Sequence, residues 1–338
     1  MFRKETYVRR RSELRKRIEG GLVLLPGNGE SPANYPSNQF RFRQDSTFLY
    51  FFGLNRPDYV GLMDIDSGEE TLYGDDYTID DIIWMGPQPT LDEQAREVGI
   101  GKTLPLSQLG KRIEAAVAKG RKVHFARLLG LAPERVPLYA SVELAKAVVA
   151  LREIKDADEI DQIEKACEIG SKMHRMAMKM CRPGVVEREI AGAIESIALQ
   201  HGAGVSFFSI VSQHGETLHN HCHEGTLLSG RLMLVDAGAE TTMNYCSDFT
   251  RTFPVSGRFT QKQKDVYDIV LAANDRTFSL AGPDSYYYRM HNEASLVIAE
   301  GLKSLGLMRG DMQDAVTVGA QALFMPHGLG HQMGLDVH

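Results

Sequence analysis

The chain has 338 residues, 43% of them hydrophobic and 24% charged, with a formal net charge of −6. That length and balance fit a soluble globular protein of two domains. The lack of a basic excess argues against a general nucleic-acid binder, and no apolar run approaches the ~18 residues of a membrane span, so neither nucleic acid nor membrane is expected as a partner.

The N-terminus carries a basic run, Arg9, Arg10, Arg11, Arg15, Lys16 and Arg17, interrupted by Glu13 and flanked by Glu5 and Glu19. Tyr7, Leu14 and Ile18 fall at helical spacing. The segment therefore reads as a helix with a solvated charged face, ahead of a transit peptide or a nucleic-acid arm. No charged stretch leads into an apolar one, so no secretory signal is read. Cys167, Cys181, Cys222 and Cys246 form no C-x-x-C pair, which suits a reducing cytoplasm better than a disulfide framework.

Short period-2 and period-3.6 patterns alternate through the first part of the chain. Gly21 to Leu25 predicts a strand stopped by Pro26-Gly27. Thr47 to Phe52, rich in aromatics, predicts another, ending at Gly53. Tyr59 to Ile65 and Glu70 to Tyr73 predict a hairpin about the turn Asp66-Ser67-Gly68. A helix is predicted from Leu106 to Ala118. Trp84, the only tryptophan, lies beside Ile82, Ile83 and Met85. It reads either as an oligomer contact reaching a neighbour's active site or as a residue buried in its own domain.

The stretch Ile154-Lys155-Asp156-Ala157-Asp158 reads as a boundary, giving domains 1–154 and 155–338. Asp156 with Glu159 forms a capping-box pattern. The helix after it repeats apolar residues at Ile160, Ile163, Cys167, Gly170, Met173, Ala177 and Met180, until Pro183-Gly184. A helix from Glu187 to Gln200 follows, then strands Phe207 to Ser212, Leu232 to Asp236 and Met243 to Val255. After Gly257 the order restarts. Thr260 with Gln263 is a second capping box, opening a helix to Leu280. Helices Tyr287 to Leu305 and Asp311 to Gln321 follow, and Ala322 to Pro326 reads as strand-like. The second domain is thus two halves of one plan, the second without its hairpin.

Asp236 ends an apolar strand, and Asp248 lies twelve residues on. A hairpin between them brings both carboxylates to one face, which suits hard divalent ions such as Mn²⁺, singly or as a pair. The bland alternative is a turn-capping Asp and a surface Asp. The segment Phe324 to His338 sets His327, His331 and His338 among glycines. Glycine permits close backbone approach, and imidazole is both a metal ligand and a proton donor near neutral pH. Upstream, His219, His221 and His223 alternate. They read as a self-contained zinc site on a strand, or as one site residue, His219, with two polar loop residues. Gly99-Ile100-Gly101-Lys102-Thr103 is no phosphate loop, because Arg96 stands where the first glycine is required. Nor do Gly328, Gly330 and Gly334 fit G-x-G-x-x-G.

The segments Val235 to Pro254 and Phe324 to His338, with His219 seventeen residues before Asp236, resemble Xaa-Pro aminopeptidase (aminopeptidase P) and Xaa-Pro dipeptidase (prolidase). Phe42 to Tyr50 resembles that family's N-terminal strand signature, and Ile154 to Ile160 its domain junction. The resemblance implies an α/β creatinase-like N-terminal domain joined to an α+β pita-bread domain. The latter has a pseudo-twofold antiparallel sheet with helices, here with its second half incomplete. It also implies two divalent metal ions, expected to be Mn²⁺, held by Asp236, Asp248, His331 and two glutamates that lie downstream of the last histidine. His219, His327 and His338 match histidines that bind or polarise the scissile peptide. The expected substrate is a peptide with proline at its second position, and the expected assembly a homo-oligomer. The Asp236–Asp248 gap is one residue longer than the family's, which a hairpin bulge would absorb. With three of five ligands, the 338-residue chain alone is expected to bind at most one metal weakly and to lack appreciable activity. The rival readings are the dipeptidase and a non-catalytic binding protein on the same fold.

Overall fold

The computed structural model describes residues 1–125 and 141–337. His338 lies outside them. The chain falls into two compact units, Met1–Ile160 and Asp161–His338, where the sequence reading set the division at 154/155. The six-residue difference has a local cause: Arg9 and Arg10 bind Asp156 at 2.6 and 3.4 Å, and Arg10 reaches Glu159 at 3.5 Å. These contacts keep the first turn of the long junction helix with the first unit.

In order, the first unit contains α1 (Lys4–Arg15), β1 (Leu22–Pro26), β2 (Pro32–Tyr35), β3 (Asn38–Gln39), α2 (Ser46–Phe52), β4 (Val60–Asp64), β5 (Glu70–Tyr73), α3 (Ile79–Met85), α4 (Leu91–Glu97), β6 (Thr103–Leu104), α5 (Leu109–Ala118), β7 (Val123–Phe125) and α6 (Val142–Arg152). Five strands form one mixed sheet in the order β6-β5-β4-β1-β7. The expected β4–β5 hairpin is present and antiparallel. Both β1 and β4 are buried along their whole length, as continuous apolar runs covered on both faces require.

Three expectations fail here. Thr47 to Phe52 is not a strand but part of the helix α2. Asp45 caps it, accepting the Phe48 N–H at 2.9 Å, and Gly53 ends it in the left-handed region at φ 66°. Six of its residues are buried, so no polar stripe reveals the helical period, and the aromatic content imitates a strand. The basic face of α1 is not wholly solvated either. Arg11 is 0% exposed, bonded to Glu70 and to the carbonyls of Phe51 and Val98. Every long-range acceptor it meets comes from elements distant in sequence, which a local charge pattern does not reveal. The reading of Trp84 as buried is also overturned: it is 85% exposed, and no residue of α3 is buried.

The second unit takes up most of α7 (Ala157–Met180), followed by α8 (Glu187–His201), β8 (Gly204–Val205), β9 (Ile210–Ser212), β10 (Leu232–Ala237), β11 (Ala239–Glu240), β12 (Phe249–Pro254), α9 (Gln261–Leu280), α10 (Tyr287–Ser304) and α11 (Met312–Thr317). Both predicted capping boxes form. Asp156 and Glu159 bond reciprocally at 3.1 and 3.0 Å, and Thr260 and Gln263 at 2.9 and 3.3 Å. The sheet β12-β10-β9 is antiparallel. Along β10 burial alternates. Met233, Val235 and Ala237 pack against Ile169, Met173 and Ala177 of α7 and Ile190 and Ile194 of α8, leaving Leu232, Leu234 and Asp236 on the opposite face.

The second half does not reproduce this sheet among the described residues. Ala322 to Pro326, expected as strand-like, is a 3₁₀ turn running into irregular chain. Leu323 is 83% exposed, so the apolar run meets no partner strand among those residues. The described sheet is therefore built from the first half alone, and the expected pseudo-twofold relation rests on element order. Among the described residues no helix is long and apolar enough to cross a membrane.

Candidate active site

Asp236 lies between two strands, opposite Thr250 of β12 and Ile210 of β9. Asp248 precedes Thr250 by two residues, so alternation directs it to the same face as Asp236. The two carboxyls lie close enough to share a hydrogen bond. Burial and then repulsion by Asp248 push Asp236 up to about 6, against a hydrogen bond from the Thr250 hydroxyl and the influence of His219. The Oδ1 atom of Asp236 is buried without a hydrogen-bond partner.

The ladder that sets this arrangement runs from Leu232↔Pro254 to Ala237↔Phe249 with no register shift. The expected bulge is therefore absent. The pairing continues in the same register, with the Ser247 N–H on the Ala239 carbonyl and Glu240 bridged to Cys246, until Asn244 turns the chain at φ 64°; β11 also pairs with β8. Gly238 is required at the loop's neck, because a Cβ there would lie 1.7 Å from the Ser247 carbonyl oxygen. Ser206 donates to that same carbonyl at 2.7 Å. Farther round, the Cys246 N–H donates to the Gly334 carbonyl at 2.7 Å, and the buried Cys246 thiol faces the Leu335 carbonyl at 3.6 Å. The chain just before Asp248 is thereby tied to the chain just after His331.

His331 Nε2 stands 3.2 Å from Asp248 Oδ2. Its Nδ1 faces the Gln332 carbonyl at 3.0 Å, which can only accept, so Nδ1 carries a hydrogen. The remaining nitrogen then points its lone pair at a carboxylate unless a proton or a cation stands between them. His327 lies in the same irregular segment, exposed, with Nδ1 donating to the Gly328 carbonyl at 2.7 Å. Between the two histidines the Tyr287 hydroxyl bonds both the N–H and the carbonyl of Gly330.

His219 is exposed, and its neighbourhood is irregular rather than a strand. The His219 and His221 rings are 6.5 Å apart, and His221 stacks on Phe208 at 4.5 Å. His223 is engaged with the Ser209 carbonyl at 2.9 Å. The self-contained zinc reading of these three histidines finds no support: among the described residues no group of three His, Cys, Asp or Glu is gathered to hold an ion. Asp236, Asp248 and His331 are likewise linked only pairwise. The structure thus brings Asp236, Asp248 and His331 together, with His219 near Asp236 and His327 four residues before His331; His338 lies outside the described residues.

The model of metallopeptidase family M24 matches residues 161–338, more than half of the chain. The chain belongs to metallopeptidase family M24. The aminopeptidase P N-terminal domain matches residues 7–124 ahead of it. The M24 chain is 28% identical over 358 aligned positions to the Xaa-Pro aminopeptidase of Escherichia coli strain K12, covering 99% of this chain and 81% of that one. A solved structure of Pseudomonas aeruginosa aminopeptidase PepP matches with a TM-score of 0.90 at 28% identity, over 100% of this chain and 81% of its own. E. coli aminopeptidase P with the inhibitor Pro-Leu matches at 0.89 and 29%, over 100% and 82%. The chain is accordingly an aminopeptidase P family member in an enzyme family of metallopeptidases, with the α/β plus α+β pita-bread organisation.

A metallopeptidase requires a divalent ion, and the chemistry of the donors fits one. Two carboxyls repel each other, one buried oxygen has no partner, and in the neutral Nδ1–H tautomer of His331 a lone pair faces a carboxylate at 3.2 Å. A cation among these groups relieves all three conflicts. The sequence reading missed the groups that support this arrangement. Thr250, Ser206, Cys246 and Tyr287 act through contacts made only on folding. Gly170 was read as one more position on an apolar helix face, although a mid-helix glycine is a signal of close approach.

Proposed function

We propose that this M24 chain hydrolyses the bond between an N-terminal residue and a following proline. Asp236, Asp248 and His331 would be three of the five ligands of a dinuclear Mn²⁺ centre, beside the two glutamates that the resemblance implies. The observation that carries the reading is the cluster of mutually facing acceptors at Asp236, Asp248 and His331. The names of the E. coli and P. aeruginosa relatives, and the Pro-Leu inhibitor held by the E. coli enzyme, support the choice of substrate.

Bound divalent ions supply Lewis-acid polarisation of the scissile carbonyl and a water made acidic enough to attack near neutral pH. The chain's own residues do the rest. The two aspartates present only acceptor oxygens, which select a hard cation. The His331 Nδ1–H, held on the Gln332 carbonyl, fixes the tautomer that leaves Nε2 as a ligand. His219, near Asp236, and His327, four residues before His331, are exposed, and their imidazoles would donate to the substrate carbonyl as its oxygen gains charge; His338 would take the same role by its motif position. Proline selectivity follows from shape, because the tertiary amide offers no N–H to recognise.

Trp84 and the other exposed residues of α3, Ile79, Ile83 and Met85, support a homo-oligomer in which this helix meets a neighbour. None of the four cysteines forms a disulfide, and we read the chain as belonging to a reducing cytoplasm. The test is hydrolysis of an Ala-Pro-Xaa tripeptide and of Ala-Pro after loading with Mn²⁺, with metal stoichiometry measured alongside. Release of alanine from the tripeptide supports the proposal. Cleavage of the dipeptide alone reassigns the chain as a dipeptidase, and binding of peptide without turnover makes it a non-catalytic relative. Light scattering that returns a monomer removes the oligomer.

A further inference from the structure

The helix α7 meets the β10–β12 ladder from behind, on the face opposite the carboxylates. His174 sits there, 5% exposed. Its Nε2 lies 3.2 Å from the Ala237 carbonyl oxygen. A carbonyl only accepts, so Nε2 carries the hydrogen and Nδ1 is left with its lone pair. That Nδ1 atom is buried and makes no hydrogen bond of good geometry, and the ring also interacts with the Phe249 backbone. The same ring meets Phe249 edge-on, with centroids 6.0 Å apart and planes at 70°. One turn earlier, on the same helix face, Gly170 clears the way: a Cβ there would stand 2.7 Å from Phe249 Cε2 and 2.9 Å from Ser247 Oγ.

Ala237 and Phe249 are the last pair of the ladder. Asp236 immediately precedes Ala237, and Asp248 immediately precedes Phe249. A single imidazole therefore grips both residues that flank the two carboxylates, one through a hydrogen bond and one through its ring edge. A hydrocarbon would fill the same space without the cost of burying a polar nitrogen that lacks a well-aligned partner. Packing alone does not account for a histidine here, whereas a directed donor at the neck of the carboxylate pair does.

We propose that His174 is a positioning residue, fixing the separation and aim of Asp236 and Asp248 by holding Ala237 and Phe249 from the helix side. The inference rests on the reading of those aspartates as metal ligands. Misplacement of such ligands by a fraction of an ångström weakens a metal site, and loss of an outer partner typically costs ten- to a hundredfold in affinity.

The experiment compares wild type, His174→Phe and His174→Gln. Mn²⁺ affinity is measured by the spin-resonance signal of the free ion, and the melting temperature is measured in chelator. Phenylalanine keeps the ring contact but cannot donate; glutamine keeps an N–H near the position of Nε2. The expected result is about ten- to a hundredfold weaker Mn²⁺ binding for His174→Phe, with most of the loss recovered in His174→Gln. A purely structural histidine would lower the chelated melting temperature and leave Mn²⁺ affinity unchanged, and that outcome overturns the proposal. If His174→Phe does not fold, Gly170→Ala takes its place, pushing Phe249 from the same helix face while leaving the imidazole intact. Weaker Mn²⁺ binding is again expected, and unchanged binding overturns the proposal. A wild-type protein that binds no Mn²⁺ overturns the metal-site reading itself, and this inference with it, before any variant is compared.

Discussion

Thr250 stands directly opposite Asp236 in the β10–β12 ladder, and its hydroxyl bonds the Asp236 carboxyl. That hydroxyl, with His219, favours the charged form of Asp236; burial and Asp248 act the other way and hold the group up at about 6. An acid whose folded pKa is raised destabilises the fold once ionised. In the metal-free protein this contribution is absent below the ordinary value of 3.8, grows as pH rises, and is complete above about 6. Asp236→Asn removes it. The expected result is a chelated variant more stable than wild type at pH 8, by on the order of 2–3 kcal/mol, with no difference near pH 3. Mn²⁺ binding should fall in the same variant. Chemical denaturation in chelator at the two pH values decides the matter, and equal stability at pH 8 counts against the carboxylate pair.

The first unit carries the opposite case. Asp64 is buried, which alone would raise its pKa. The Arg121 hydrogen bonds, the Ser67 N–H and the charges of Arg121 and Arg112 outweigh that and hold it at about 2. Arg121 contacts both Asp64 oxygens, at 2.6 and 3.0 Å. A depressed carboxyl stabilises the fold above its unfolded pKa, and the contribution disappears as pH falls from about 4 through 2. Arg121→Ala should therefore cost about 2 kcal/mol at pH 7 and progressively less in that acid window. Urea denaturation at pH 7 and pH 2.5 compares the full loss with the reduced one; a pH-independent loss would assign Arg121 to packing instead.

Because α2 is a helix, its ends obey helix chemistry. Asp45→Ala removes the cap on the Phe48 N–H and should destabilise by about 1 kcal/mol. Gly53→Ala should do worse, by more than about 2 kcal/mol, combining a left-handed backbone with a collision. The added Cβ would lie 2.2 Å from the Tyr7 ring, with φ at 66°. Thermal melts that rank the two in the reverse order would contradict this geometry.

Tyr287 lies 47% exposed at the start of α10, yet its hydroxyl bonds both backbone groups of Gly330, next to His331. Tyr287→Phe removes only that oxygen. The melting temperature should hardly move, while Mn²⁺ binding weakens about three- to tenfold, because losing two neutral hydrogen bonds frees the segment carrying His331. Isothermal titration with Mn²⁺ reads the effect, and wild-type affinity in the variant would show that the Tyr287 contact does not order the site.

The sequence by itself determined the parts of this protein that local chemistry controls. Both capping boxes are side chain to backbone exchanges within four residues, so Asp156 with Glu159 and Thr260 with Gln263 announced their helices directly. The alternation of β10 separated Val235 from Asp236 before any fold was known, and the spacing of Asp236, Asp248 and the glycine-flanked histidines pointed to metal chemistry. What the sequence could not express was whatever depends on contact between distant segments. Thr47 to Phe52 became a helix because it is buried on nearly every side, which erases the period that would have marked it. Arg11 went inside because Glu70 and the carbonyls of Phe51 and Val98 were waiting there. The Asp236–Asp248 hairpin needs no bulge because it keeps one register to its turn, with β8 and the Gly334–Leu335 backbone as further partners. His174 reads in the sequence as one more polar residue on a helix; only the packing of α7 against the ladder end, where Gly170 allows Phe249 to approach, sets its imidazole behind the two carboxylates.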